Sequence, residues 1–373
     1  MIKVLLSCLL LSISMMVVAL EQKQSNDIVL VSSNALTGPA AALGTKLSQG
    51  AKMYFHKINK QGGIAGRQIK LQTLDDGYEP FRTMENTYQV LTRANVLALF
   101  NYAGTPNAHV ILPFINEHKL PFLTPFTGAE FLRNPVNTNI FNLRASYNQE
   151  ATAQIDYLVS KVKAKNIALL VQADQFGLSV ESSYLSAMEK YKLTPVVTTR
   201  FRRNTQDIEL ALAIMLKHNI DAVAFVGTYR PLLKFINKAK EKNFNPFYTS
   251  VSFVSSRDLF ANIKEPTRIL ITEVVPKLAT CQLAVCQEFL NDIQQNHSIE
   301  PEPIVFEGYL NAKLFVEAAK LCGSSLSRHC LIGKLAQFQS DFGGLQVTFS
   351  DNNHQGLNNV YFSLFDSKSK VVD

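Results

Sequence analysis

Short runs rich in Val, Ile and Leu alternate along this chain with longer stretches in which apolar residues return every three or four positions. The first kind of run predicts strands and the second predicts amphipathic helices. Residues 28–33 form the first predicted strand, and Leu47, Ala51, Tyr54, Phe55 and Ile58 then mark one helix face until Gly62-Gly63 ends it. A strand at 69–74, a helix at 80–94 opening on Pro80, a strand at 96–100, a helix at 107–118 and a strand at 121–124 follow.

The alternation then starts again. A helix at 148–162, a strand at 167–172, a helix at 178–191 and a strand at 196–201 lead to a helix whose start is signalled by Thr205. Asp207 and Glu209 fall in that helix's dipole-favoured first turn, and Ile208, Ala211, Leu212 and Met215 line one face. A strand at 222–226, a helix at 231–242 and a strand at 247–251 complete the second set. Beyond a strand-like run at 269–275 the chain turns helical at 282–295 and 305–321. Residues 345–350 and 359–365 read as a pair of strands joined through Asn352, Asn353 and Gly356. Two such sets exceed what one open sheet holds comfortably, so the prediction is α/β with two doubly wound, Rossmann-like lobes. No Pro- or Ser-rich linker divides them, which suits a packed hinge better than a tether.

The N-terminus changes the picture of where the chain works. Lys3 is followed by an apolar run at 4–18, too short to span a bilayer comfortably, with Val17 and Ala19 at the small-residue positions of a cleavage site. Residues 1–19 therefore read as a secretory signal peptide, and Cys8 leaves with it. The four remaining cysteines, Cys281, Cys286, Cys322 and Cys330, are an even set in an exported chain and favour disulfides. Local pairs, Cys281 with Cys286 and Cys322 with Cys330, are the expectation among three possible pairings. Zinc is the alternative, with His329 adjacent, but these spacings fit zinc knuckles poorly. The formal charge of +7 is spread along the chain without an Arg-rich arm or a basic stripe interleaved with aromatics, so nucleic acid is not expected.

In doubly wound sheets, ligands sit beyond the carboxyl ends of the strands. The loops there are small and polar: Asn34 to Pro39 after the first strand, Asn101 to Asn107 after the third and Pro125 to Ala129 after the fourth. Hydroxyls and free N–H groups at helix starts suit a carboxylate.

The segment Asn59-Lys60-Gln61-Gly62-Gly63-Ile64-Ala65-Gly66-Arg67 resembles a signature of type I periplasmic binding proteins of the leucine/isoleucine/valine group. Leu36-Thr37-Gly38-Pro39, Leu120-Pro121-Phe122, Phe126-Thr127-Gly128-Ala129 and Arg144-Ala145-Ser146-Tyr147 extend the likeness. Asp174-Gln175-Phe176-Gly177, Glu307-Gly308-Tyr309 and Asn353-His354-Gln355-Gly356 carry it across the whole mature chain. The resemblance implies a Venus flytrap with a three-crossing hinge near 144–148, 272–276 and 341–350. Its parts would be a first lobe from 27–145 and 275–343, a second from 146–274, and a hinge return with second-lobe strands at 344–373. It implies a periplasmic protein that delivers a small polar solute, an amino acid, an amide or a small organic acid, to an inner-membrane ABC permease. Tyr102, Thr105, Phe126 and Thr127 would hold the ligand from the first lobe, with Phe176 and Tyr229 covering it from the second. The family also leaves room for a homodimer.

One departure matters. Amino-acid binders of this family place an acid after the strand corresponding to 247–251, where it meets the ligand ammonium. Here Ser252-Phe253-Val254-Ser255-Ser256 stands in that place. Leaving a buried ammonium unpaired costs several kcal/mol, which weighs against a free α-amino acid. No nucleophile elbow, Walker loop or His-Glu-x-x-His motif is present, so neither an enzyme nor a cofactor or metal is expected. A ligand sensor of the same fold, signalling to a regulatory or receptor partner, is the alternative to transport.

Overall fold

The computed structural model describes residues 26–366 apart from 94, 265, 297 and 298, together with the backbone of 371–372. The expected signal peptide lies outside the described residues. The first lobe opens with β1 (Ile28–Asn34), α1 (Ala41–Lys60), β2 (Ile69–Asp75), α2 (Pro80–Leu91) and β3 (Val96–Phe100). It continues with α3 (Thr105–His118), β4 (Phe122–Leu123) and β5 (Ile140–Phe141). These strands form a parallel sheet in the order β2-β1-β3-β4-β5. Edge strand β2 buries Ile69 and leaves Lys70 and Thr73 with their neighbours partly open to solvent, as a strand with one free edge does.

The second lobe comprises α4 (Tyr147–Tyr157), which runs into a π-helical turn at Leu158–Val162, then β6 (Ile167–Gln172), α5 (Gln175–Glu189) and β7 (Thr198–Phe201). It goes on through α6 (Glu209–Met215), β8 (Ala222–Val226), α7 (Tyr229–Glu241), β9 (Phe247–Ser250), α8 (Ser256–Asn262) and β10 (Arg268–Glu273). Strands β6 and β8 are buried throughout, which is why they read as unbroken apolar runs. The chain returns to the first lobe with α9 (Ala284–Gln294), α10 (Pro303–Lys320), α11 (Arg328–Ala336) and the hairpin of β11 (Gln339–Asp341) with β12 (Gln346–Thr348). It ends on β13 (Tyr361–Asp366) and β14 (Val371–Val372), which extend the second sheet antiparallel from β10. Two parallel-sheet α/β lobes are thus the architecture, as the periodicity predicted.

Helix α10 is buried along nearly its whole length and lies against α1 so closely that side chains are excluded at the crossing. A Cβ at Gly50 would stand 1.9 Å from the Val305 carbonyl oxygen, and one at Gly308 2.1 Å from that of Leu47. The cysteines form the bridges Cys281–Cys286 and Cys322–Cys330, so the thiols that a zinc site would need are consumed.

Three expectations need correction. Residues 345–350 and 359–365 do not pair with each other: β12 pairs with β11, while β13 joins β10. Phe342, Leu345, Val347 and Phe349 have an apolar core to fill in the first lobe, and burying them there separates the two strands. Residues 344–349 accordingly belong to the first lobe, and the last connection between lobes follows Gln355, whose segment bridges to Asn142. Finally, the helix signalled by Thr205 begins only at Glu209. The Thr205 hydroxyl donates to the Arg202 carbonyl and Asp207 pairs with Arg202, closing a local turn in which side chains compete with helical hydrogen bonds.

Candidate ligand-binding cleft

The cleft lies where the carboxyl ends of the two sheets face each other. Helix α3 starts at Thr105 because Gly104, at φ +109°, turns the chain in a way an L-residue resists, and Pro106 suits the first turn. A Cβ at Gly104 would meet the Tyr78 ring at 2.4 Å, so this glycine also makes room for Tyr78. Tyr78 itself is fixed by Asp76, a fully buried carboxylate that accepts from Ser33, Thr83, Asn107 and the Tyr78 amide. Burial pushes the Asp76 carboxyl up, and the hydroxyl and amide donors pull it back. Its neighbour Asp75 gathers the Thr37 hydroxyl and three backbone amides, which hold it low, at about 2, although partial burial opposes them.

Thr105 and Thr127 share a hydrogen bond of 2.7 Å between their hydroxyls, and the Tyr147 hydroxyl stands 3.4 Å from Thr105. On the second lobe, Asp174 caps α5 by accepting from the amides of Phe176 and Gly177, and the Phe176 ring packs on that of Tyr147 at 5.5 Å between centroids. Between the two surfaces sits Phe253, from the loop after β9. Its ring centroid is 4.8 Å from Phe176, 5.5 Å from Phe126 and 5.7 Å from Tyr78. All four rings are buried.

Behind the rings lies a buried charge cluster. The Arg144 guanidinium stacks 4.5 Å over the Phe126 ring, donates to Ser252 Oγ, and pairs with Glu150 at 3.7 Å and Glu307 at 3.6 Å. Its Nε and Nη1 have no hydrogen-bond partner. Glu150 accepts from the Ser252 amide and hydroxyl and from Thr272. Burial lifts Glu307 to about 7 despite Arg144. Arg133 is better satisfied: it donates to Gln355, Ala129, Thr127 and the Arg144 carbonyl, tying the loop after β4 to the hinge. Burial pushes it down to about 10.

Of the residues expected to hold a ligand, Thr105, Phe126, Thr127 and Phe176 come together here. Tyr102 turns into the first lobe's core, edge-on to Phe122, with its hydroxyl accepting from Thr87. Tyr229 is the first residue of α7 and packs with Arg230 on a groove lined by Gln206 and Lys234, in a different apolar cluster from Phe176. Sequence reasoning gave no ligand role to Tyr78, Arg144, Glu150 or Phe253. The one signal for Tyr78 was Asp75-Asp76-Gly77 directly after a strand.

Residues 30–370 match the periplasmic binding protein family. The chain belongs to that family. This is a non-enzymatic family of binding proteins, and the present binding protein aligns at 26% identity with "Leu/Ile/Val-binding protein homolog 3" of Brucella melitensis. That alignment covers 54% of this chain and 55% of the relative, so the chain spans about half the length of that relative. An "Amino acid binding protein" of Pseudomonas aeruginosa is 21% identical over 80% of both chains. The crystal structure of "a possible leucine/isoleucine/valine-binding protein" from Rhodopirellula baltica superposes with a TM-score of 0.87 at 32% identity, over 93% of this binding protein and 96% of the other.

Proposed function

We propose that this chain is the extracytoplasmic, signal-peptide-exported solute receptor of an ABC importer, and that it captures its solute by closing the two lobes over the cleft described above. The observation that carries the reading is the pairing of the Thr105 hydroxyl, at the start of α3, with the Thr127 hydroxyl of the loop after β4, beside Tyr147, whose ring packs on Phe176 and so joins the pair to the Phe176 and Phe253 rings. Hydroxyls with a helix start suit a carboxylate, and the rings suit an apolar body. The solute is thus a small carboxylic acid with an apolar portion. Relatives whose names specify Leu, Ile and Val support that class. The loop after β9 carries no acid to receive an ammonium, and the nearby Glu150 of α4 is engaged by Ser252, Thr272 and Arg144. Small organic acids therefore fit the cleft better than free α-amino acids. Phe253 stands between the lobes, so the solute takes the place of its ring.

Thermal melting against a panel of branched-chain amino acids, aromatic and aliphatic acids and their amides tests this. A solute at 100 times its Kd adds about 2.7 kcal/mol to stability, a clear rise in Tm. The expected pattern is a shift from a carboxylate and none from its amide, lost in Thr105→Val/Thr127→Val. A panel with no shift in any class would remove the solute-receptor reading.

A further inference from the structure

A groove of about 520 Å³ lies on the hinge side of the molecule, away from the rings of the main cleft. Its walls are Phe260 of α8, Val275 after β10, Pro303 at the start of α10, and Tyr361 and Phe365 of β13, so both lobes contribute. Phe260 and Phe365 face each other at 5.4 Å between ring centroids. Into this apolar surface the last residue of β10 brings a carboxyl group. Glu273 is only 6% exposed, its side chain is reached by the Ser256 and Ser363 hydroxyls, and its Oε1 has no hydrogen-bond partner. A buried acceptor left unpaired costs free energy that a donor in the groove would recover.

The charge balance says what kind of donor. Glu273 interacts with the buried cluster of Arg144, Glu150 and Glu307, to which Arg133 also belongs, and with Glu273 counted these groups are three acids against two arginines. Among the described residues, the cations beside the groove are already engaged. Arg257 bonds Glu300 and the Pro301 carbonyl, Lys46 bonds Asp258 and Glu302, and Lys277 at the rim has an interaction of its own. We propose that the groove is a second ligand site, taking an arylalkyl primary amine whose ammonium sits on the Glu273 carboxyl and whose ring lies among Phe260, Tyr361 and Phe365. The site is distinct from the solute cleft and does not depend on it. Because its walls come from both lobes and flank the chain's passage after β10, an amine bound there stabilises the closed arrangement it sees.

Burial and the neighbouring acids lift Glu273 to about 8, so at pH 7 it is largely protonated when the groove is empty. An ammonium favours the ionised form, and each binding event therefore releases about one proton. Calorimetric titration of 4-phenylbutylamine into the folded protein at pH 7, in two buffers of different ionisation enthalpy, reads both affinity and proton release. The expected result is one site, about one proton released, and at least tenfold weaker binding of 4-phenylbutanol. Glu273→Gln and the groove-filling Ala261→Phe each lose at least tenfold in affinity, while Thr105→Val, in the other cleft, keeps it. Amine binding that survives in both groove variants, equal binding of amine and alcohol, or no saturable binding to the folded wild type would overturn the proposal. Circular dichroism of each variant checks that it is folded.

Discussion

The two ends of the contact between lobes are built from opposite materials. At the hinge end, Arg144, Glu150 and Glu307 are sealed from water, with Arg144 paired to both acids and Glu150 locked to Ser252 and Thr272. At the mouth, Arg203 and Asn204 of the second lobe reach Glu79 and the Gly77 carbonyl of the first, and Gln172 donates to the Tyr78 hydroxyl over 3.4 Å. These mouth groups are mostly partly exposed, with Glu79 42% accessible. A sealed charge cluster cannot be opened cheaply, whereas solvent-screened pairs exchange readily with water. The difference teaches where parting the lobes would cost least: at the mouth rather than at the hinge.

The strongest way to break the comparison is at the sealed end. Glu150→Ala strands Arg144 and leaves the Ser252 amide without its acceptor, and equilibrium urea unfolding should lose about 3–5 kcal/mol. A loss under 1 kcal/mol would mean that the cluster is open to water. The next effect is of pH. Glu273, at about 8, lies above the ordinary carboxylate range, so the folded protein binds a proton that the unfolded chain has already released. The stabilisation is complete below pH 4.5 and is lost as pH rises towards 8, with a slope of at most about 1.4 kcal/mol per pH unit. Glu307, at about 7, adds to the fall at lower pH. In Glu273→Gln the decline between pH 7 and 8 should flatten, and an unchanged slope would assign it elsewhere. The smallest effect belongs to the mouth. Arg203→Ala should cost less than about 1 kcal/mol of stability, vanishing at high salt. Small-angle scattering should nevertheless show a more open average shape, and an unaltered radius of gyration would move the latch to another contact.

Much of the fold was legible because periodicity records burial. Strands such as β6 and β8 are apolar on both faces, and their positions follow from that alone. The C-terminal strands misled because a short amphipathic run says only that one face is covered, not by what: β12 is covered by the first lobe and β13 by the second. In the cleft, Thr105, Phe126, Thr127 and Phe176 were readable since each follows a strand's carboxyl end. Phe253 and Glu150 were not, because their roles exist only once distant segments meet. Ser252 lies 102 residues from the Glu150 that binds its amide. The absence of an acid after β9 was visible in the sequence, but that an aromatic ring stands in the gap is a fact of closure.

The α1–α10 crossing has a consequence for how the chain comes to be folded. Gly50 and Gly308 must meet for the first lobe to close its core, yet more than two hundred residues separate them, and the whole run from α4 to β10 lies between. As the polypeptide emerges, its leading portion waits unfinished with Leu47, Ala51 and Tyr54 uncovered, while most of the trailing lobe can assemble from contiguous chain. The part made first stays incomplete until α10 has emerged, and that interval is when a chaperone has the most to hold.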